Sequence, residues 1–145
     1  MTYEGYAPGR PGTMVPMTDY TITNLEDVED MAAKSGLDFG VVRFARKAVD
    51  AEDTGLAYQR IFPGARQSFG HRHNEAEEVY FVISGSGAVK LDGDVKELSA
   101  HDIVRVAPHV MRAFEAGPDG LEFIVFGTHH EKDGELEQGY WEQDS

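Results

Sequence analysis

The sequence predicts an all-β domain, a sandwich or barrel, preceded by one short helix and an extended N-terminal arm. Three observations carry this. Short apolar-rich runs recur about every eight to twelve residues from Phe39 onward. Gly, Pro and Asp punctuate them, as at Pro63-Gly64, Ser84-Gly85-Ser86-Gly87 and Asp92-Gly93-Asp94. One segment only has helical periodicity. Evenly spaced short strands between turn residues are the pattern of packed or closed antiparallel sheets.

At 145 residues, 41% of them hydrophobic, the chain is long enough for one domain with a real core. Residues 1–20 hold Pro8, Pro11 and Pro16 among several glycines. They read as a flexible, irregular arm, disordered or laid across a neighbour, with 21–145 as the single domain. From Asn24 to Gly36 the spacing predicts one short helix. Asn24 stands at the N-cap, acidic residues lie early, Lys34 late, and Gly36 stops it. Leu25, Val28, Met31 and Ala32 share its apolar face.

Strands are expected at 40–45, 56–62, 78–83, 88–91, 95–98, 102–106, 111–115 and 121–126. Asp92-Gly93-Asp94 between two of them signals a hairpin. In Glu78–Ile83 both alternating faces are apolar, so the outer face needs cover. The N-terminal strands, the arm or a second subunit could supply it, and a homodimer is expected.

The net charge of −13, from 26 acidic against 13 basic residues, repels phosphate backbones and anionic lipid. Nucleic acid and membrane partners are therefore not expected, and a solvated surface is explanation enough for the charge. No apolar run approaches the ~20 residues of a membrane span, and residues 1–12 lack a signal-peptide pattern. Without cysteine there is no disulfide framework, thiolate chemistry or zinc–cysteine site. The simplest compartment is the cytoplasm.

The informative stretch is Pro63 to Gly85. His71 and His73, at i and i+2 on an extended chain, point to one face and can bind one ion. A carboxylate on the next strand can complete a set that suits Fe(II), Mn(II), Ni(II), Co(II) or Zn(II). Two surface histidines beside an arginine are the plain alternative. The wider spacing, His71-x-His73-x4-Glu78-x6-Gly85, resembles the first motif of the cupin superfamily, including the strand Glu78-Val79-Tyr80-Phe81-Val82-Ile83 ending in a glycine turn. A second region, His101 to Phe114, resembles the second motif, and together they cover about Tyr58 to Phe126.

The resemblance implies a small single-domain cupin: a double-stranded β-helix, or jelly-roll barrel, with His71, His73 and Glu78 as metal ligands. Glu77 is the rival carboxylate, which alternation turns outward. In the second motif the position of the usual fourth ligand, a histidine, falls on Arg112, and His109 falls in the loop. A guanidinium stays charged and does not ligate divalent ions. Arg112 can pair with Glu78, bidentately, in a metal-free binding site. Alternatively it swings aside from a three-ligand metal to hold an anionic substrate. A buried pair that only fills the barrel is the third option.

Among other candidates, Gln67 is an extra ligand or polar wall, and Tyr80 and Phe114 line the pocket or pack the core. Arg60 and Arg105 are interior or surface cations. His129 and His130 mark a strand end, and Tyr140 and Trp141 pack back on the barrel or on a partner. Dioxygenases, isomerases, epimerases and decarboxylases all use such barrels, so the resemblance does not choose a reaction. A metal-dependent enzyme, with Tyr80 or a histidine as proton carrier, stands beside a metal-free module for a small, possibly anionic ligand and a dimerising scaffold.

Overall fold

The computed structural model of the chain describes residues 5–8, 14–17 and 19–143. Strands β1 (Gly5–Pro8) and β2 (Met14–Met17) pair antiparallel as a separate two-stranded sheet. The rest of the arm expected over 1–20 lies outside the described residues, apart from 19 and 20.

The expected helix is broken in two. A 3-10 turn, Leu25–Asp27, is capped by Asn24, and Val28 then turns extended. Helix α1 is only Met31–Lys34, capped by Asp30. Asp30 interrupts the segment because its carboxylate is a second N-cap, accepting from Ala32 N at 3.0 Å, and it also takes the N–H of Val42 at 3.0 Å. That bond to a strand fixes Asp30 outside any helix, in extended conformation. Gly36 ends the segment with φ +73°. Ala32 packs there with Phe39 and Val42 as a small cluster.

The barrel comprises β3 (Gly40–Phe44), β4 (Thr54–Ile61), β5 (Phe69–His73), β6 (Glu78–Leu91), β7 (Asp94–Ser99), β8 (Ile103–Val106), β9 (Arg112–Thr128) and β10 (Gly134–Gln138). Its antiparallel sheet runs β10-β5-β9-β4-β3, and β6 pairs with β7, β8 and β9. Two strands are longer than the turn residues suggested. Ser84-Gly85-Ser86-Gly87 is no turn: β6 passes through it with register shifts against β9 at Val82/Ser84 and Gly85/Gly87. A bulge bends a strand without ending its ladder, so β6 and β9 serve both halves of the curled sheet. Gly85 has φ +81°, and a Cβ there would stand 2.0 Å from the Gly120 carbonyl oxygen. Only glycine fits. The hairpin at Asp92-Gly93 forms as expected, with Leu91 opposite Asp94.

Alternation fills the interior. Tyr80, Val82 and Val89 of β6 and Phe114, Leu121 and Phe123 of β9 are fully buried. Phe114 stacks on Phe123 at 4.5 Å and lies 4.8 Å from Tyr80. On the outer face Phe81 is half-buried while Ile103 and Phe126 are exposed. The C-terminal turn packs back: Tyr140 is buried, its hydroxyl within reach of the carbonyls of Asp92 (2.6 Å) and Met111 (2.9 Å). Trp141 lies under the Arg66 guanidinium. No helix among the described residues is long and apolar enough to cross a membrane.

Candidate functional site

His71 and His73 alternate with the exposed Arg72 on β5, so both rings face the barrel interior. The chain turns through Asn74–Glu77, and Glu78 opens β6 beside Gly127 of β9. Glu78 thus meets the histidines from a different strand. His71 Nε2 lies 3.3 Å from Glu78 Oε1, and His73 Nε2 lies 3.3 Å from Oε2. One donor atom from each of the three residues falls within 4.8 Å of the others. The His73 contact lacks hydrogen-bond alignment, so its Nε2 is a buried ring nitrogen without a hydrogen bond. Two imidazole nitrogens and a carboxylate converging in this way fit a divalent transition metal.

Asp133, which the sequence did not mark, holds His73 in place. Its Oδ2 lies 3.1 Å from His73 Nδ1 and accepts from Ala76 N at 3.0 Å. Oδ1 accepts from Asn74 N at 3.1 Å and Glu75 N at 2.8 Å. This one carboxylate ties the β5–β6 loop to the β9–β10 loop. With Nδ1–H engaged by Asp133, Nε2 keeps its lone pair toward Glu78, the orientation that carboxylate–histidine pairs impose on metal ligands. Burial raises the Asp133 carboxyl, but the surrounding N–H groups outweigh it and hold the group below its ordinary value.

Tyr80 donates to Glu78 Oε1 at 2.6 Å. Burial would raise the Glu78 carboxyl. Its contacts with His71, His73 and Tyr80 prevail and hold it far below the usual carboxylate range. Burial depresses His71, whereas contact with the Glu78 carboxylate raises His73. Burial pushes Tyr80 well above its ordinary value, which keeps the proton on Oη for its hydrogen bond to Glu78.

Arg112 stands opposite His71 across the β5–β9 ladder with its side chain wholly buried. Nη1 reaches Glu78 Oε1 at 3.5 Å, while Nη2 donates to the Ala107 carbonyl at 2.9 Å. The bidentate pair, one of the options read from the sequence, does not form, because that carbonyl takes the second nitrogen. With both rings neutral, the charges of Glu78, Asp133 and Arg112 leave the cluster one net negative charge.

These groups face a cavity of about 870 Å³. His71, His73, Glu78, Tyr80 and Gln67 line it, and Arg112 and Phe114 do not. Phe114 belongs to the aromatic core, and Arg112 sits behind Glu78. The polar atoms of Gln67 are engaged by protein groups: its Oε1 accepts from Phe114 N at 3.0 Å and its Nε2 donates to Gln59 Oε1 at 2.6 Å. The two glutamines form a polar wall, and Gln59 was not marked from sequence. Glu77 points outward to Arg105 at 3.2 Å, and Arg60, Arg105 and His109 are exposed. His129 and His130 border the cavity.

Residues 57–126 match the family model described as Cupin domain. Among solved structures, a cupin protein from Bacteroides fragilis is similar over 80% of this chain and 89% of its own, with 23% identity and a TM-score of 0.63. The polyketide cyclase RemF from Streptomyces resistomycificus is similar over 82% and 84%, with 18% identity and a TM-score of 0.66. A sugar phosphate isomerase from Silicibacter pomeroyi is similar over 81% and 92%, with 16% identity and a TM-score of 0.62. No curated protein matches the sequence.

Proposed function

The chain carries a small domain of the cupin superfamily, and from that premise we propose that its barrel binds one divalent transition metal on His71, His73 and Glu78 with a small organic ligand beside it. The observation that carries this reading is the buried, hydrogen-bond-free Nε2 of His73, held toward Glu78 by Asp133. A bound ion would supply Lewis acidity and open positions for a ligand's oxygen atoms. The protein's own groups would set the surroundings. Tyr80 keeps its proton on Oη and fixes Glu78 Oε1, while Asp133 fixes the His73 ring.

The contact of Arg112 with Glu78 favours a second reading, in which the guanidinium replaces the ion and the barrel binds its ligand, or acts as a scaffold, without metal. Cobalt(II) titration of apoprotein separates the two. Ligand-field absorption that appears in wild type and vanishes in His71→Ala, His73→Ala and Glu78→Ala supports the metal site; its absence from wild type favours the Arg112–Glu78 reading. The proposal includes a cytoplasmic location, in keeping with the cysteine-free composition. It also includes a homodimer through the outer face bearing Phe81, Ile103 and Phe126, which Ile103→Lys should convert to monomer in sedimentation velocity.

A further inference from the structure

The chain's net charge of −13 repels an anionic ligand, yet the cavity border runs against the overall charge. Arg46 and Lys47 are the only arginine and lysine among the described residues that line it. They stand in the turn after β3, and His129 and His130 follow β9. Ala45 N donates to Leu56 O and His129 N to Asp53 O, which sets these two strand ends on either side of the start of β4. His129 faces Glu131 at 3.1 Å and His130 faces Glu75 at 3.0 Å, so neighbouring carboxylates match the histidines. Arg46 donates to the Ala51 carbonyl at 3.2 Å. Glu131 feels both cations, but its direct partner is His129. Neither Arg46 nor Lys47 has a carboxylate within ion-pair distance among the described residues, although 26 acidic residues are present.

The wall beside them is apolar, formed by Leu37, Phe39, Val42, Phe44 and Phe69. Phe44 is 60% exposed and Leu136 64% exposed while lining the same cavity. Exposed apolar side chains at a cavity lip suit a guest that is itself apolar along its body. The volume is within the range of sites for drug-sized molecules.

We propose that the cavity takes an amphiphilic organic anion. Its carboxylate, sulfonate or phosphate group lies at Arg46 and Lys47, and its aromatic or branched body lies along the β3 wall. This rests on the reading of the cavity as the ligand site, and it moves the anion-binding role from Arg112 to the turn after β3. Charge at the border thus sorts ligands, and the apolar wall holds them.

Two fluorescent probes that share one aromatic body test it: anionic 1-anilinonaphthalene-8-sulfonate and neutral N-phenyl-1-naphthylamine, each titrated into the full chain. Wild type is expected to bind both, the anion more weakly as salt rises. The double variant Arg46→Gln/Lys47→Gln should weaken the anion about fivefold or more, as removal of two partly exposed cations implies, and move the neutral probe less than twofold. Phe44→Asp should weaken both. If the double variant shifts the two probes equally, or neither, while Phe44→Asp still weakens the neutral one, charge selection is wrong and the cavity reading survives. If wild type fails to bind the neutral probe, or Phe44→Asp leaves it unchanged, the cavity reading falls and the proposal with it.

Discussion

Replacing Asp133 by alanine perturbs the fold and the site together, and the cost can be worked from its partners. Asp133 is 5% exposed as a side chain and accepts three backbone N–H groups besides meeting His73. In Asp133→Ala the Ala76 N–H, in a residue 4% exposed, loses its acceptor in a dry place, at about 1–3 kcal/mol. The N–H of the exposed Glu75 regains water, at about 0.5–1 kcal/mol, while that of Asn74 keeps the backbone carbonyl of residue 133 at 3.0 Å. The total is about 2–4 kcal/mol, or on the order of 10 °C in Tm for a domain of this size. Asp133→Asn keeps an acceptor at Oδ1 and should cost about half as much. Urea unfolding of apoprotein, followed by the fluorescence of the single tryptophan, Trp141, measures both. The carboxyl is depressed below its ordinary 3.8, so its contribution is fully present above that pH and fades as pH falls through the lower folded value. An Asp133→Ala protein within about 1 kcal/mol of wild type at pH 7 would refute the claim that this carboxylate joins the two loops.

Two further outcomes follow from the same geometry. Glu78 is depressed from 4.5, so the apoprotein should lose stability as pH falls below about 4.5, and Glu78→Gln should flatten that limb of the urea-midpoint profile. The histidines act on opposite sides of pH 6.5: raised His73 contributes stability that is lost as pH rises above it, and depressed His71 costs stability as pH falls below it. Gly85→Ala forces a side chain into left-handed backbone and against the Gly120 carbonyl. We expect a loss of more than about 3 kcal/mol, read as a collapse of the urea midpoint or of soluble yield.

The barrel was legible in the sequence because alternation and turn residues are local signals. The histidine pair and Glu78 were legible because they lie within eight consecutive residues. What escaped depended on distant partners. Asp133 meets His73 across 60 positions in sequence, and nothing in its own neighbourhood marks it as buried. The one short helix is present but shorter than its spacing suggested because caps compete: Asp30 and Asn24 are both good N-caps, and the bond of Asp30 to Val42 N decided between them. Ser84–Gly87 read as a turn because a glycine-rich bulge and a turn share residue types. Arg112 was found by motif position, yet its orientation depended on the Ala107 carbonyl. Arg46 and Lys47 belong to no motif in the sequence, and only the closed barrel brings them to the cavity border.

Metal content decides the central claim. Wild type, His73→Ala and Arg112→His proteins would be loaded with Mn(II), Fe(II), Co(II), Ni(II) or Zn(II), dialysed and assayed for metal per chain. The expected result is about one ion per chain in wild type and in Arg112→His, and none in His73→Ala. Wild type that stays empty while Arg112→His fills would contradict the account, leaving the guanidinium as the site's permanent cation.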